Sequence, residues 1–132
     1  MTEAPHLQVC GRLCDTGEVM TLALRNGRIA GSRRGAEGAN LGGPEWWLAP
    51  GFLDLQLNGY AGSDFNLGYW GGGKGDQQDL QPIFDRAAQA GTALLCPTIT
   101  TNSADAILAN LTNLACTLET DPPMARRVPG IH

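Results

Sequence analysis

Three polar side chains at alternate positions, Asp54, Gln56 and Asn58, are the residues of this 132-residue chain whose types and spacing could do chemistry. They interleave with Leu53, Leu55 and Leu57 in the run Phe52 to Gly59, so an extended strand puts the leucines on one face and the polar groups on the other. A buried parallel strand ordinarily reads apolar on both faces. A polar face running into a glycine-rich loop fits a strand whose inner side lines a site, because barrels and open α/β sheets gather their sites at the C-terminal ends of strands. A surface or edge strand with one wet side fits the pattern equally well. Thr98, Thr100 and Thr101, at the end of a second strand, fall on the same rim. So does His132, at the end of a third, although a lone histidine is more often structural than a ligand.

Other candidates are weaker. His6 lies in the N-terminal arm with no partner in view. Asp64 falls in a loop and Asp85 on a helix face that reads as solvated, so neither is a strong acid–base candidate. Gly68-Tyr69-Trp70-Gly71-Gly72-Gly73-Lys74-Gly75 matches seven positions of a phosphate-binding loop. It fails at the eighth, where Gly75 replaces the hydroxyl residue that would hold magnesium, and no apolar strand precedes it. A flexible loop is the better reading. Trp46, Trp47 and Trp70 could stack on a sugar, but a packing plug is favoured for them. Cys10, Cys14, Cys96 and Cys116 form no CxxC pair and no zinc-finger spacing; a reduced, cytoplasmic protein is the simplest reading, with a pair of disulfides as the less favoured alternative.

The elements that must position these residues can be read along the chain. Leu22 to Arg25, Asn26-Gly27, then Arg28 to Ala30 predicts a hairpin closed by a type I′ turn. Leu7 to Val9 and Val19 to Leu22 add strands, and Gly31 to Pro44 reads as a loop or linker. After the Phe52 strand and a loop from Gly59 to Gly75, Asp76 is placed to cap a helix reaching about Ala90. Leu80, Ile83, Phe84 and Ala87 form its stripe and Gly91 stops it. Ala93 to Thr100 predicts the second strand, with an irregularity at Pro97. Ser103 caps a second helix that buries Ile107, Leu108, Leu111, Leu114, Ala115 and Leu118 and closes at Pro122-Pro123. Ala125 to Ile131 predicts a third strand. Strand, helix, strand, helix, strand is a parallel α/β succession.

Composition bounds the function. The chain is 42% hydrophobic and 17% charged with a formal net charge of −4, so it can build a core, and it carries no basic stripe for nucleic acid. No segment approaches the roughly 20 apolar residues of a membrane helix, and the first residues lack the features of a secretory signal. The sequon at Asn110 therefore carries no weight. Three strands and two helices are less than half of an eight-stranded barrel of about 250 residues, so the chain reads either as a small α/β domain or as the front of a larger protein.

Leu48-Ala49-Pro50-Gly51-Phe52-Leu53-Asp54 resembles the PGFxD approach to the first barrel strand of the amidohydrolase superfamily. The Asn26-Gly27-Arg28-Ile29 hairpin is typical of that superfamily's N-terminal β-sandwich. Asp54 to Gly59 followed by Gly62-Ser63-Asp64-Phe65 is similar to N-acetylglucosamine-6-phosphate deacetylases. Cys96 to Thr101 resembles their second strand, and Val128 to His132 the approach to their His-x-Glu-Gly-Pro motif. The resemblance implies residues 1–47 as part of a small β-sandwich and residues 48–132 as the first part of a (β/α)8 TIM barrel. It also implies hydrolysis of N-acetyl-D-glucosamine 6-phosphate to D-glucosamine 6-phosphate and acetate.

It further implies a divalent metal, commonly zinc, that polarises the amide and activates water, and a cytoplasmic homodimer when full length, acting on an amino-sugar phosphate with no nucleic-acid or membrane partner. Gln56 and Asn58 stand where many superfamily members carry a His-x-His pair. Amides are weak neutral ligands, which fits the single-metal variety of the family. On this reading Gln56, Asn58 and His132 line the site near the metal. The metal ligands and catalytic aspartate follow His132, and this chain contributes no catalytic residue and no metal ligand. The expectation is a fragment that is inactive alone. The alternatives are another amidohydrolase, such as a dihydroorotase-like or deaminase-like enzyme, and a small non-enzymatic domain that binds a partner or a sugar phosphate.

Overall fold

A computed structural model describes residues 7–60, 62–66 and 80–132. The chain divides into two compact units, Met1–Pro50 and Gly51–His132, and the architecture is mixed α/β. Among the described residues no helix is long and apolar enough to cross a membrane.

The first unit is a four-stranded sheet of β1 (Leu7–Leu13), β2 (Val19–Arg25), β3 (Arg28–Arg34) and β4 (Leu41–Leu48), ordered β3-β2-β1-β4. The hairpin forms as the sequence predicts. Asn26 and Gly27 take φ of 50° and 71°, the left-handed pair that a type I′ turn needs, and Arg25 pairs with Arg28. β1 lies antiparallel to β2 and parallel to β4.

The expected loop from Gly31 to Pro44 is corrected. Gly31 to Arg34 complete β3, and β4 begins at Leu41. Both are edge strands, where half of the ladder needs no partner, so glycine and proline are tolerated. The β1–β4 register jumps from Cys10↔Gly42 to Arg12↔Trp47, and Pro44 sits inside that irregularity. Gly42 is required there: its φ is 78°, and a Cβ would collide with the Cys10 carbonyl oxygen. Trp46 and Trp47 are 60% and 64% exposed on β4, so they are not the buried plug expected of them.

The second unit pairs β5 (Phe52–Leu57) with β8 (Thr92–Pro97) in parallel, and the short β6 (Gly59–Tyr60) and β7 (Ser63–Asp64) form a hairpin. Helix α1 (Gln81–Gln89) begins with Leu80 at its N-cap and Pro82 in its first turn. The Asp76 cap expected for it lies outside the described residues. Leu80, Ile83, Phe84 and Ala87 are buried as the spacing predicts, and Gly91, at φ 89°, ends the element.

Helix α2 (Ala104–Thr120) is capped by Ser103, whose Oγ accepts from Ala106 N at 3.3 Å. Its buried residues are Ala106, Asn110 and Leu114, with Leu118 half-buried, while Leu108 is 65% exposed. The stripe is therefore rotated from the expected one, because the small Ala106 and the polar Asn110 face inward. The core joins Phe65, Leu80, Ile83, Phe84, Ala87, Leu95, Leu114 and Met124, the last from the short helix α3 (Pro122–Ala125).

The third strand expected over Ala125 to Ile131 does not form as a regular element. The segment does run beside β8 and makes ladder bonds to it: Leu95 N donates to Arg127 O, His132 N to Pro97 O and Ile99 N to His132 O, each at 2.9 Å. Pro129 has no N–H to donate, and Val128 N turns back to Ala125 O, so regular pairing fails between the two contacts.

Candidate functional site

The strict alternation read for β5 is interrupted. Asp54 pairs with Leu95 and Leu57 with Pro97, three steps on β5 against two on β8, which is a bulge. An extra residue reverses the side-chain alternation, so the three leucines do not share a buried face. Leu57 packs against the core, whereas Leu53 and Leu55 are 47% and 66% exposed. The Asp54 carboxylate accepts from Gln56 N at 3.0 Å and so closes the bulge upon itself. Asp54 shapes the strand. Gln56 and Asn58, on either side of Leu57, are exposed.

The structure brings Asn58 and His132 to one rim. Thr98 N donates to Leu57 O on one side of the strand end, and His132 brackets Thr98 on the other through Pro97 O and Ile99 N. Asn58, next to Leu57, and His132 therefore lie on opposite sides of the end of β8. His132 is exposed and held through its backbone. Two neutral amides and an imidazole can bind a hydroxyl or an acetamido group through hydrogen bonds.

They do not make a metal cage. Among the described residues no three His, Cys, Asp or Glu side chains come together. The described residues do not fit a metal by themselves.

The remaining candidates separate. Thr98 is 4% exposed, and its Oγ1 donates to Cys96 O at 3.4 Å. Thr100 and Thr101 are exposed. Asp64 Oδ1 accepts from Asn66 N at 2.7 Å and Asn66 Nδ2 at 2.8 Å, a structural task. Asp85 accepts from Gln81 Nε2 on the exposed side of α1. His6, Trp70 and the Gly68 to Gly75 loop lie outside the described residues.

Two residues escaped the sequence reading. Asn66, 3% exposed, donates through Nδ2 to Thr98 O at 3.1 Å and accepts at Oδ1 from Thr100 N at 2.8 Å. Its local turn with Asp64 follows a familiar Asx pattern, but bonds spanning more than thirty residues leave no mark on spacing. Arg127 donates from Nη2 to Phe84 O and Thr92 O and from Nε to Ala93 O. A cavity of about 390 Å³ lined by Ala88, Gly91, Thr92, Ala93 and Arg127 lies at the start of β8, the end away from the rim. Its one charged group is already engaged with backbone carbonyls.

No protein-family model and no curated protein sequence matches the chain. Two solved structures do, both of N-acetyl-D-glucosamine-6-phosphate deacetylase from Mycobacterium smegmatis. One, an aspartate-to-alanine mutant in complex with N-acetyl-D-glucosamine-6-phosphate, is 19% identical with a TM-score of 0.68 over 98% of this chain and 32% of its own. The other is 20% identical with a TM-score of 0.66 over 96% of this chain and 35% of its own. The chain spans about a third of the length of the structures it matches. At this identity the likeness establishes the fold: the chain is built like that third of an N-acetyl-D-glucosamine-6-phosphate deacetylase.

Proposed function

We infer that this chain is the first part of a metal-dependent amidohydrolase that removes the acetyl group from N-acetyl-D-glucosamine 6-phosphate. The observation that carries this reading is the match of 98% of the chain to a deacetylase whose structure holds that substrate. The motif resemblance over Asp54 to Gly59 and Val128 to His132 supports it independently. On this reading β5, β8 and the segment ending at His132 are the opening strands of a (β/α)8 barrel, and the first unit is part of its β-sandwich.

Gln56, Asn58 and His132 stand at the strand ends, where such barrels place their sites. They contribute polar contacts to the amino-sugar phosphate. A divalent metal, zinc by the same reading, takes its ligands from sequence beyond His132, as the motif resemblance at Val128 to His132 implies. The full-length protein is then a cytoplasmic homodimer, and the 132-residue chain alone is inactive.

The test is to read the coding sequence beyond the His132 codon, express the 132-residue chain and any longer product, and measure acetate release from N-acetyl-D-glucosamine 6-phosphate. Acetate release by the longer product alone supports the reading. A stop codon after His132, or a longer product that is silent on this substrate, sinks it and favours a small binding domain.

A further inference from the structure

We propose that Asn66 is a positioning residue whose side-chain amide continues the β5–β8 ladder after the backbone of β5 has turned away, and that it thereby fixes the rim carrying Asn58 and His132. The proposal rests on the functional reading above for its catalytic consequence, but its geometry does not. In a parallel pair, one residue donates its N–H to the carbonyl preceding its partner and accepts at its C=O from the N–H following it. The last backbone bond from β5 is Thr98 N to Leu57 O. The chain then leaves β8 to form the β6–β7 hairpin.

The next two backbone groups on that side, in the extension of β8, are Thr98 O and Thr100 N. Asn66 meets both, donating from Nδ2 at 3.1 Å and accepting at Oδ1 at 2.8 Å. These are the bonds that a backbone residue opposite Ile99 would make. A primary amide carries the N–H and C=O of a peptide group in one plane, so asparagine can stand in for it.

The opposite side of the same strand end holds His132, through Pro97 O and Ile99 N. Backbone groups of a strand alternate between its two sides, so Thr98 O and Thr100 N face Asn66 while Pro97 O and Ile99 N face His132. With both sides engaged, residues 97–100 have one available path. Asn66 is held in turn by Asp64 Oδ1, which leaves its amide a single orientation. At 3% exposure the amide has no water to replace these partners. Leu57, Pro97 and Ile99 cannot do this work, since their side chains offer no donor or acceptor.

Backbone amide exchange on the 132-residue chain tests the geometry, with Asn66→Ala and Asn66→Asp as variants. Asn66→Ala removes both ladder bonds and should speed exchange at Thr100 N, Ile99 N and His132 N by about tenfold or more. Exchange within α2 and the Asn26 hairpin should stay as it was. Asn66→Asp keeps an acceptor for Thr100 N, so Thr100 should retain more protection in it than in Asn66→Ala. If the alanine variant fails to fold, the aspartate variant is judged against the wild type at Ile99 and His132. Unchanged exchange at Ile99 and His132, or a loss spread evenly over α1 and α2, overturns the proposal.

In the longer product, Asn66→Ala should lower kcat for deacetylation by about ten- to a hundredfold with KM nearly unchanged. A loss that only follows the amount of folded enzyme reduces Asn66 to a structural residue and overturns the positioning role. A wild-type longer product without deacetylase activity sinks the functional reading, and the exchange result then decides the ladder geometry alone.

Discussion

The Arg127 guanidinium lies 5.2 Å from the centroid of the Phe84 ring while its Nη2 donates to the Phe84 carbonyl at 3.1 Å. One side chain thus grips both the side chain and the backbone of the same helical residue. Its other bonds, to Thr92 O and Ala93 O at 3.2 Å, reach the start of β8, so Arg127 ties helix α1 to the strand it packs against. The charge is delocalised over a planar group with five donors, which suits several carbonyls at once better than an ammonium does.

Arg127→Ala should therefore destabilise the second unit by about 2–4 kcal/mol, because three carbonyls lose a charged donor and the ring loses its cation. Arg127→Lys should restore less than half of that. Urea unfolding followed by circular dichroism, with the midpoint read at constant slope, checks both; a lysine variant equal to wild type would show that charge alone suffices.

Three glycines should separate by backbone need. Gly42→Ala faces both a positive φ and a collision with Cys10, so a loss of about 2 kcal/mol or more is expected. Gly27→Ala, with positive φ and open space, should cost about 1 kcal/mol. Gly31→Ala, in open space at ordinary φ, should stay within about 0.5 kcal/mol of wild type. Thermal unfolding ranks the three, and any other order contradicts the geometry.

Asn110 is 2% exposed on α2, and its Oδ1 has no hydrogen-bond partner among the described residues. Desolvating an acceptor without replacing its bond costs stability. Asn110→Leu, which keeps the branching at Cγ with two methyl groups in place of the amide, should raise the stability of the 132-residue chain by about 1 kcal/mol in denaturant titration. A destabilised variant would mean that the amide has a partner in solution.

Equilibrium dialysis against zinc should leave the 132-residue chain without stoichiometric metal, since no three ligating side chains converge among its described residues. The longer product of the proposed reading should retain zinc. Stoichiometric uptake by the short chain that disappears in His132→Ala would contradict the assignment of the ligands to later sequence.

Much of this structure was legible in the residues. The Asn26-Gly27 turn, the Ser103 cap, the α1 stripe and the Gly91 stop each follow from local chemistry: which residues tolerate positive φ, which oxygen can meet a free N–H, and which spacing makes one helix face. The polar run Asp54, Gln56, Asn58 was also legible as unusual. What the sequence could not show is that Asp54 turns inward on Gln56 N to close a bulge, which ends the alternation that made the run conspicuous.

The sequence by itself determined the Asn26-Gly27 hairpin, the strands β5 and β8 and the helices α1 and α2, because those depend on neighbours a few positions apart. The tertiary structure alone decided that Gly31 and Leu41 belong to sheet edges, that Arg127 joins Phe84 to Thr92, and that Asn66 replaces a missing strand residue beside Ile99. Each is a hydrogen bond or ladder pairing between residues distant in the chain. Such bonds exist only once burial has removed water as the competing partner.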